Sequence, residues 1–306
     1  WPIAVFAPDG RSSYEYAGAA AQLARVLRAF DEEAAAMWEQ SARRAFNWAE
    51  TNSPNPMPTH HWTDTRNLAA INLYRLTGES SFHDVFLETT AFTDPKADVW
   101  KWDSHFQRWA AWSYLGCEHD LDQTVQNNAR KAILREADAR TAMSEQSGFG
   151  WSADPWDWVG YGTLTAPDTP TVAWAYQLTG DAKYRATLVR GSLYRGGANP
   201  LDMTFTTGVG RAWPNMPLHV DSRFSNQPPP EGITVYGPLD TGRYADEYWT
   251  YKRLDELGAV HPTVANWPTT QAYFDVFMFP GSNEYTIHQT IAPAGYHWAI
   301  LHAVDR

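Results

Sequence analysis

Cysteine is almost absent: Cys117 is the one thiol in 306 residues, so the chain has neither an intrachain disulfide nor a multi-cysteine metal site. The simplest role left to it is a buried apolar thiol. No run of Lys or Arg follows a phosphate backbone or an anionic leaflet, and the formal charge is −11. Nucleic acid and membranes are therefore not expected partners. No apolar stretch approaches the roughly 18–20 residues that span a bilayer. The opening residues, WPIAVFAPDG, lack the basic start, apolar segment and small-residue cleavage site of a signal peptide. A Gly-rich phosphate loop, a G-x-S-x-G elbow and H-E-x-x-H are all missing. The ten histidines, including His60-His61, lack regular ligand spacing, which argues against zinc. No strand run is long enough for a substantial sheet.

Aromatic residues are abundant. There are 16 Trp, 15 Tyr and 13 Phe, and 43% of the residues are hydrophobic, enough for a sizeable core. Each Trp taken singly is explained by the area it buries. The excess as a set points to carbohydrate, because flat rings stack on the apolar faces of sugars. Carboxylates among aromatics are the equipment of glycoside hydrolysis, in which one carboxylic acid protonates the leaving oxygen and a second carboxylate activates water or attacks carbon.

Helical periodicity recurs in pairs. It predicts helices at Ser13–Phe30 and Asp31–Glu50, the first with Tyr16, Ala20, Leu23, Val26 and Leu27 on one face. A third opens at Thr63 and closes at Thr77-Gly78, with apolar residues on two sides that bury it between neighbours. Others are expected at Ser81–Thr89, Lys101–Leu115, Leu121–Met143, Thr169–Leu178, Ala182–Tyr194 and Tyr285–Ala303. The segments LYRLTGESSFHDVF from Leu73 and AYQLTGDAKYRATL from Ala175 share a helix end, a glycine turn and a new helix start. Between Gly196 and Asn283 the sequence becomes rich in Pro, Gly, Asn and Trp, and a loop region of that length is functional or mobile.

Six segments along the chain then resemble one family. SNEYTIHQTIAPAGYHWAILHA, Ser282 to Ala303, resembles the closing motif of family 9 glycoside hydrolases, in which the glutamate of an Asn-Glu pair is the general acid. By itself Asn283-Glu284 is explained by the preference of an acid for a helix N-terminus. However, GGANPLDMTFTTGVG resembles the family's Gly-x-Asn-Pro-Leu segment and Thr-Gly-x-Gly turn. PNMPLHVDSRFSNQPPPEGITVYGP is similar to its His-His-Arg region and Gly-Pro turn. TDTRNLAAINLYRLTG and PDTPTVAWAYQLTGDAKYR resemble its helix-ending corners, and SYEYAGAAAQLARVLRAF an inner-barrel helix.

The resemblance implies an all-α (α/α)6 barrel, incomplete at its N-terminus, with residues 1–306 forming one catalytic domain. It implies an inverting hydrolase of β-1,4-linked glucan or related oligosaccharides, exported to the periplasm or secreted, with Glu284 as general acid. No cofactor is required, and a structural calcium is compatible with the family. The substrate cleft is expected over Trp151, Trp156, Trp158, His219, Asp221, Ser222, Arg223 and Tyr236, with Asn283 and His288 orienting the acid. Two departures stand out. Leu218-His219-Val220 replaces His-His-Arg, leaving Arg223 to supply the cation, and the Asp-Ala-Gly-Asp motif that carries the family's base does not occur. The base is therefore expected upstream, in a missing N-terminal segment, while Asp154 and Asp157 are alternative carboxylates. Exo-acting β-glucosidase or β-glucosaminidase action, a polysaccharide lyase, and a non-catalytic carbohydrate-binding protein remain as alternatives.

Overall fold

The structure, a computed structural model, describes residues 7–53, 60–99, 105–152, 160, 162–166, 169–244 and 249–304. The chain forms two compact units, Trp1–Glu136 and Ala137–Arg306.

In the first unit α1 (Gly10–Leu27) and α2 (Glu32–Asn52) are followed by α3 (His60–Thr77), α4 (Ser80–Thr89), α5 (His105–Leu115) and the start of α6 (Gln123–Gln146). Asp9 caps α1 by accepting from the Ser12 amide, so the helix starts three residues before the expected Ser13. Likewise α3 is already formed at His60, ahead of the expected cap at Thr63. Of the face expected to be buried in α1, only Ala20 is fully buried. Tyr14, Ala17, Gly18, Ala21 and Ala24 are buried, whereas Tyr16, Leu23 and Val26 are 43%, 39% and 51% exposed. Small residues win because α1 lies close against α3: a Cβ at Gly18 would stand 3.4 Å from the Ala69 Cα. As expected, α3 is enclosed. Its run from Leu68 to Tyr74 is buried throughout, and α1, α4 and α5 all pack on it. Arg66 on α3 pairs with Glu50 and Glu88, and Glu50 also accepts from the Tyr14 hydroxyl at 2.5 Å.

The second unit holds the rest of α6, then α7 (Pro170–Thr179), α8 (Ala182–Leu193), α9 (Val220–Ser225), α10 (Thr241–Tyr244), α11 (Trp249–Glu256), α12 (Pro280–Asn283) and α13 (Ala292–Val304). Thus all nine expected helices form. The last is shorter than read, because a π turn at Ile287–Ile291 precedes α13. The short helices α9 to α12 lie where few helical faces were expected, since one or two turns give too few residues for a period to show. Among the described residues the only β pairing is an isolated antiparallel bridge, Thr206 with Thr234. No described helix is long and apolar enough to cross a membrane.

The repeated corners, one in each unit, are the same local device. Thr77 and Thr179 donate to the carbonyls of Leu73 and Ala175 at 2.8 and 2.7 Å, four residues back, and accept from the amides of Glu79 and Asp181. Gly78 and Gly180 between them have φ of 75° and 68°, a left-handed conformation that glycine adopts without a Cβ penalty.

Burial in the second unit also leaves charge uncompensated. Arg195 is 1% exposed, its guanidinium nitrogens make no hydrogen bond, and it lies 4.5 Å from the Trp298 ring. Burial pushes its pKa down to about 10. His297 donates from Nε2 to the Leu188 carbonyl at 2.6 Å; burial, then the Arg195 charge, push its pKa down to about 3. The unfolded imidazole binds a proton near pH 6.5 and the folded one does not, so this stability is present above pH 6.5 and lost as pH falls toward 3. The slope from this group is about 1.4 kcal/mol per pH unit. Urea melts across that range should show the slope in wild type and a flatter one in His297→Gln. Arg195→Met, which removes an unpaired buried charge, should raise the melting temperature.

Candidate active site

Glu284 directly follows the single turn α12, at its C-cap, and does not open a helix. Its backbone is fixed on both sides: the Glu284 amide donates to the Pro280 carbonyl, and its carbonyl accepts from the Tyr236 amide at 2.9 Å. Two residues back, the Ser282 carbonyl accepts from the Gly237 amide at 2.8 Å. Gly237 has φ of 77°, and a Cβ there would fall 2.4 Å from Thr165 Cγ2, so the Gly-Pro turn admits no side chain. Thr165 in turn donates from Oγ1 to the Val235 carbonyl at 2.7 Å. The Glu284 side chain itself is half-buried and makes no hydrogen bond or ion pair among the described residues.

Asn283 does not orient the Glu284 carboxyl as expected, because its side chain is engaged elsewhere. Fully buried, it donates from Nδ2 to the carbonyls of Phe274 and Val276 at 2.5 and 3.1 Å and accepts at Oδ1 from the Tyr273 hydroxyl at 2.8 Å. Its carbonyl accepts from the Leu218 amide at 2.8 Å, which ties the segment bearing His219 to the segment bearing Glu284. His288, also expected to orient the acid, is exposed in the π turn.

Asp275 was not singled out in the sequence, where it is one carboxylate among 35 acidic residues. It accepts from the backbone amides of Asn215 and Met216 at 2.8 and 2.9 Å, and from the Tyr273 hydroxyl at 3.2 Å. Tyr273 thus shares one proton between Asp275 and Asn283, and its own ionisation is pushed well up by burial. The nine-residue distance of Asp275 from Glu284 is a loop spacing with no periodic signal.

His219 caps α9. Its Nδ1 accepts from the Ser222 amide at 3.2 Å, which leaves the ring proton on Nε2, a donor with no partner among the described residues. Its ring stacks toward Tyr285 with centroids 6.4 Å apart. Burial and the charge of Asp221 both raise the Tyr285 pKa, which puts Asp221 near the same ring. Tyr285, which follows Glu284 in the chain, is therefore brought together with His219 and Asp221.

The other expected residues divide. Ser222 is 9% exposed and bound to His219 through its hydroxyl, so it serves the cap and is not a free sugar ligand. Tyr236 is 4% exposed and donates to Gln289 Oε1 at 2.6 Å. Trp151 packs against the core of Leu164, Tyr194, Phe205, Ile233, Val235 and Tyr273, stacked on Phe149. Tyr236 is thus enclosed, whereas Trp151 is only partly buried. Arg223 is exposed and stacks toward Phe277, 5.8 Å away. Trp156 and Trp158, with Asp154 and Asp157, lie outside the described residues. Among the described residues no three His, Cys, Asp or Glu side chains converge as metal ligands.

Comparison with known proteins bears on this geometry. The sequence profile of glycosyl hydrolase family 9 matches residues 7–256. Endoglucanase C of Cellulomonas fimi is 28% identical over 227 residues, an alignment covering 66% of this chain and 20% of that protein. The GH family 9 endoglucanase J30 superposes with a TM-score of 0.77 at 22% identity, over 96% of this chain and 54% of that one. A thermostable endoglucanase from Alicyclobacillus acidocaldarius, solved as a single mutant, gives 0.75 at 22% identity, over 98% and 56%. AaCel9A, solved in complex with a cellobiose-like isofagomine, gives 0.76 at 22% identity, over 100% and 57%. The chain thus spans about half the length of these solved relatives and a fifth of the curated one. The likeness establishes the fold, in part, of the (α/α)6 enzymes.

The Asp275 bridge has a measurable consequence. Asp275→Ala leaves two backbone donors without their acceptor, which costs about 1–3 kcal/mol. A lowered urea midpoint with an unchanged slope should record it, with a smaller loss in Asp275→Asn.

Proposed function

Since the chain belongs to glycosyl hydrolase family 9, we propose that it is part of a catalytic domain that hydrolyses β-1,4-linked glucan with inversion, and that Glu284 is the general acid. One observation carries the assignment. Glu284 has a backbone fixed by two hydrogen bonds and, among the described residues, a carboxyl group with no partner, and the next residue, Tyr285, stacks toward His219, whose Nε2–H is likewise unengaged there. A catalytic acid needs this combination: a set position, with its oxygens left to the substrate. Glucan as substrate is supported by the endoglucanase relatives and by the cellobiose-like ligand of AaCel9A.

In this mechanism Glu284 gives its proton to the glycosidic oxygen as the bond from that oxygen to the anomeric carbon breaks. A water molecule, deprotonated by a second carboxylate on the opposite face, attacks that carbon, and the product configuration is inverted. Inversion requires the two carboxyl groups about 6.5–9.5 Å apart, with the water between them. We assign the second carboxylate to an aspartate upstream of these residues. His219, through Nε2–H, and Asp221 bind sugar hydroxyls near the acid, and Arg223 binds them farther along. Export to the periplasm or beyond the cell follows from the size of the substrate, since polymeric glucan does not cross membranes.

In a protein extended upstream to the length of its relatives, Glu284→Gln should lower turnover of unactivated glucan about 10²–10⁴-fold, the usual share of a general acid. Dinitrophenyl glycosides, whose leaving group needs little protonation, should be largely spared. Full activity of Glu284→Gln on glucan would falsify the acid assignment. Rapid turnover by the 306 residues alone would place the base within them.

A further inference from the structure

A cavity of about 310 Å³ in the first unit lies where α1, α3 and α5 end, lined by Arg25, Arg28, Arg75, Glu118 and His119. A gathering of arginines in a chain of net charge −11 needs a cause. One is the negative end of the helix dipole, which attracts cations. It accounts for Arg75, whose Nη2 donates to the Gly116 carbonyl at 2.9 Å just past α5. Arg28, the C-cap of α1, is paired with Glu39 at 2.9 Å. Arg25 is left over. The carbonyls of Ala24, Val26 and Leu27 already accept from the amides of Arg28, Ala29 and Phe30, and those of Leu73 and Tyr74 from the Thr77 hydroxyl and the Gly78 amide. Among the described residues the Arg25 side chain makes no hydrogen bond or ion pair, and neither does that of Glu118, the carboxylate on the cavity wall.

An exposed arginine by itself is ordinary, but this one stands close to a second. Burial first, and next the charge of Arg25, lower the Arg75 pKa, and the opposing attraction of Glu118 is a smaller influence than that repulsion. Two like charges therefore meet at an open cavity, and neither is paired with a carboxylate among the described residues. An anion between them replaces one repulsion with two attractions. Guanidinium forks match the oxygens of a tetrahedral oxyanion, and Arg75 has Nε and Nη1 to offer once Nη2 is bound to Gly116. We propose that this cavity is an anion site, which takes inorganic phosphate or sulfate between Arg25 and Arg75. It belongs to the first unit and uses no residue of the glucan reading, whose acid lies in the second.

Binding can be followed by the 31P line width of inorganic phosphate titrated with the protein at low ionic strength. Wild type should broaden the line, and excess sulfate should restore it where sodium chloride of equal ionic strength does not. Arg25→Gln should weaken phosphate about tenfold, the loss of a charge-assisted bond. Its exposed side chain makes the variant a mild perturbation of the fold, which an unchanged melting temperature would record. Arg44→Gln removes the same charge from an exposed residue that does not line the cavity, and should bind phosphate as wild type does. No broadening by wild type, displacement by chloride as readily as by sulfate, or an equal loss in the two variants overturns the site.

Discussion

The candidate site depends on one buried amide. Asn283 is completely enclosed, and an enclosed amide must have its hydrogen bonds met or the fold bears the full desolvation penalty. Its partners are the carbonyls of Phe274 and Val276, the Tyr273 hydroxyl and, through its own carbonyl, the Leu218 amide. Those four bonds pull three chain segments to one point: the aromatic run from Tyr273, the segment leading to His219, and the turn that ends in Glu284. Asp275 closes the arrangement from the other side by holding the amides of Asn215 and Met216. The region between Gly196 and Asn283 has little regular secondary structure. Its order comes from such side-chain-to-backbone bonds, with Asn199 doing the same at Tyr194 and Met203.

What was legible in the sequence follows from this. Helices of ten residues or more repeat their apolar positions several times, so all nine were visible, and the Thr-Gly corners were visible because glycine alone tolerates the turn. The inward face of α1 was misread because large side chains were taken as the core signal. Close helix packing instead selects Ala17, Gly18 and Ala21, with Tyr16 and Val26 turned outward. At the site, Glu284 was found through a resemblance of motif, and its neighbour His219 likewise. Asp275 and Tyr273 were not found, because a carboxylate that accepts backbone amides 59 and 60 residues away leaves no local trace.

The same bonds distinguish the carboxylates around the site. Asp275 is occupied by two amides and a phenol, so its oxygens are committed to structure and are poorly placed to take a proton from water. Asp221 is exposed on the first turn of α9, near Tyr285, where a sugar hydroxyl can reach it but water is not excluded. Of these three described carboxylates, Glu284 alone combines a fixed main chain with unengaged oxygens and partial shelter. An acid needs that shelter because proton transfer competes with bulk water, whereas a base must face the acid across the anomeric carbon. On the reading proposed above, Asp275 serves as a structural acceptor and Asp221 as an exposed polar group, and the activation of water is assigned to a carboxylate on the opposite face.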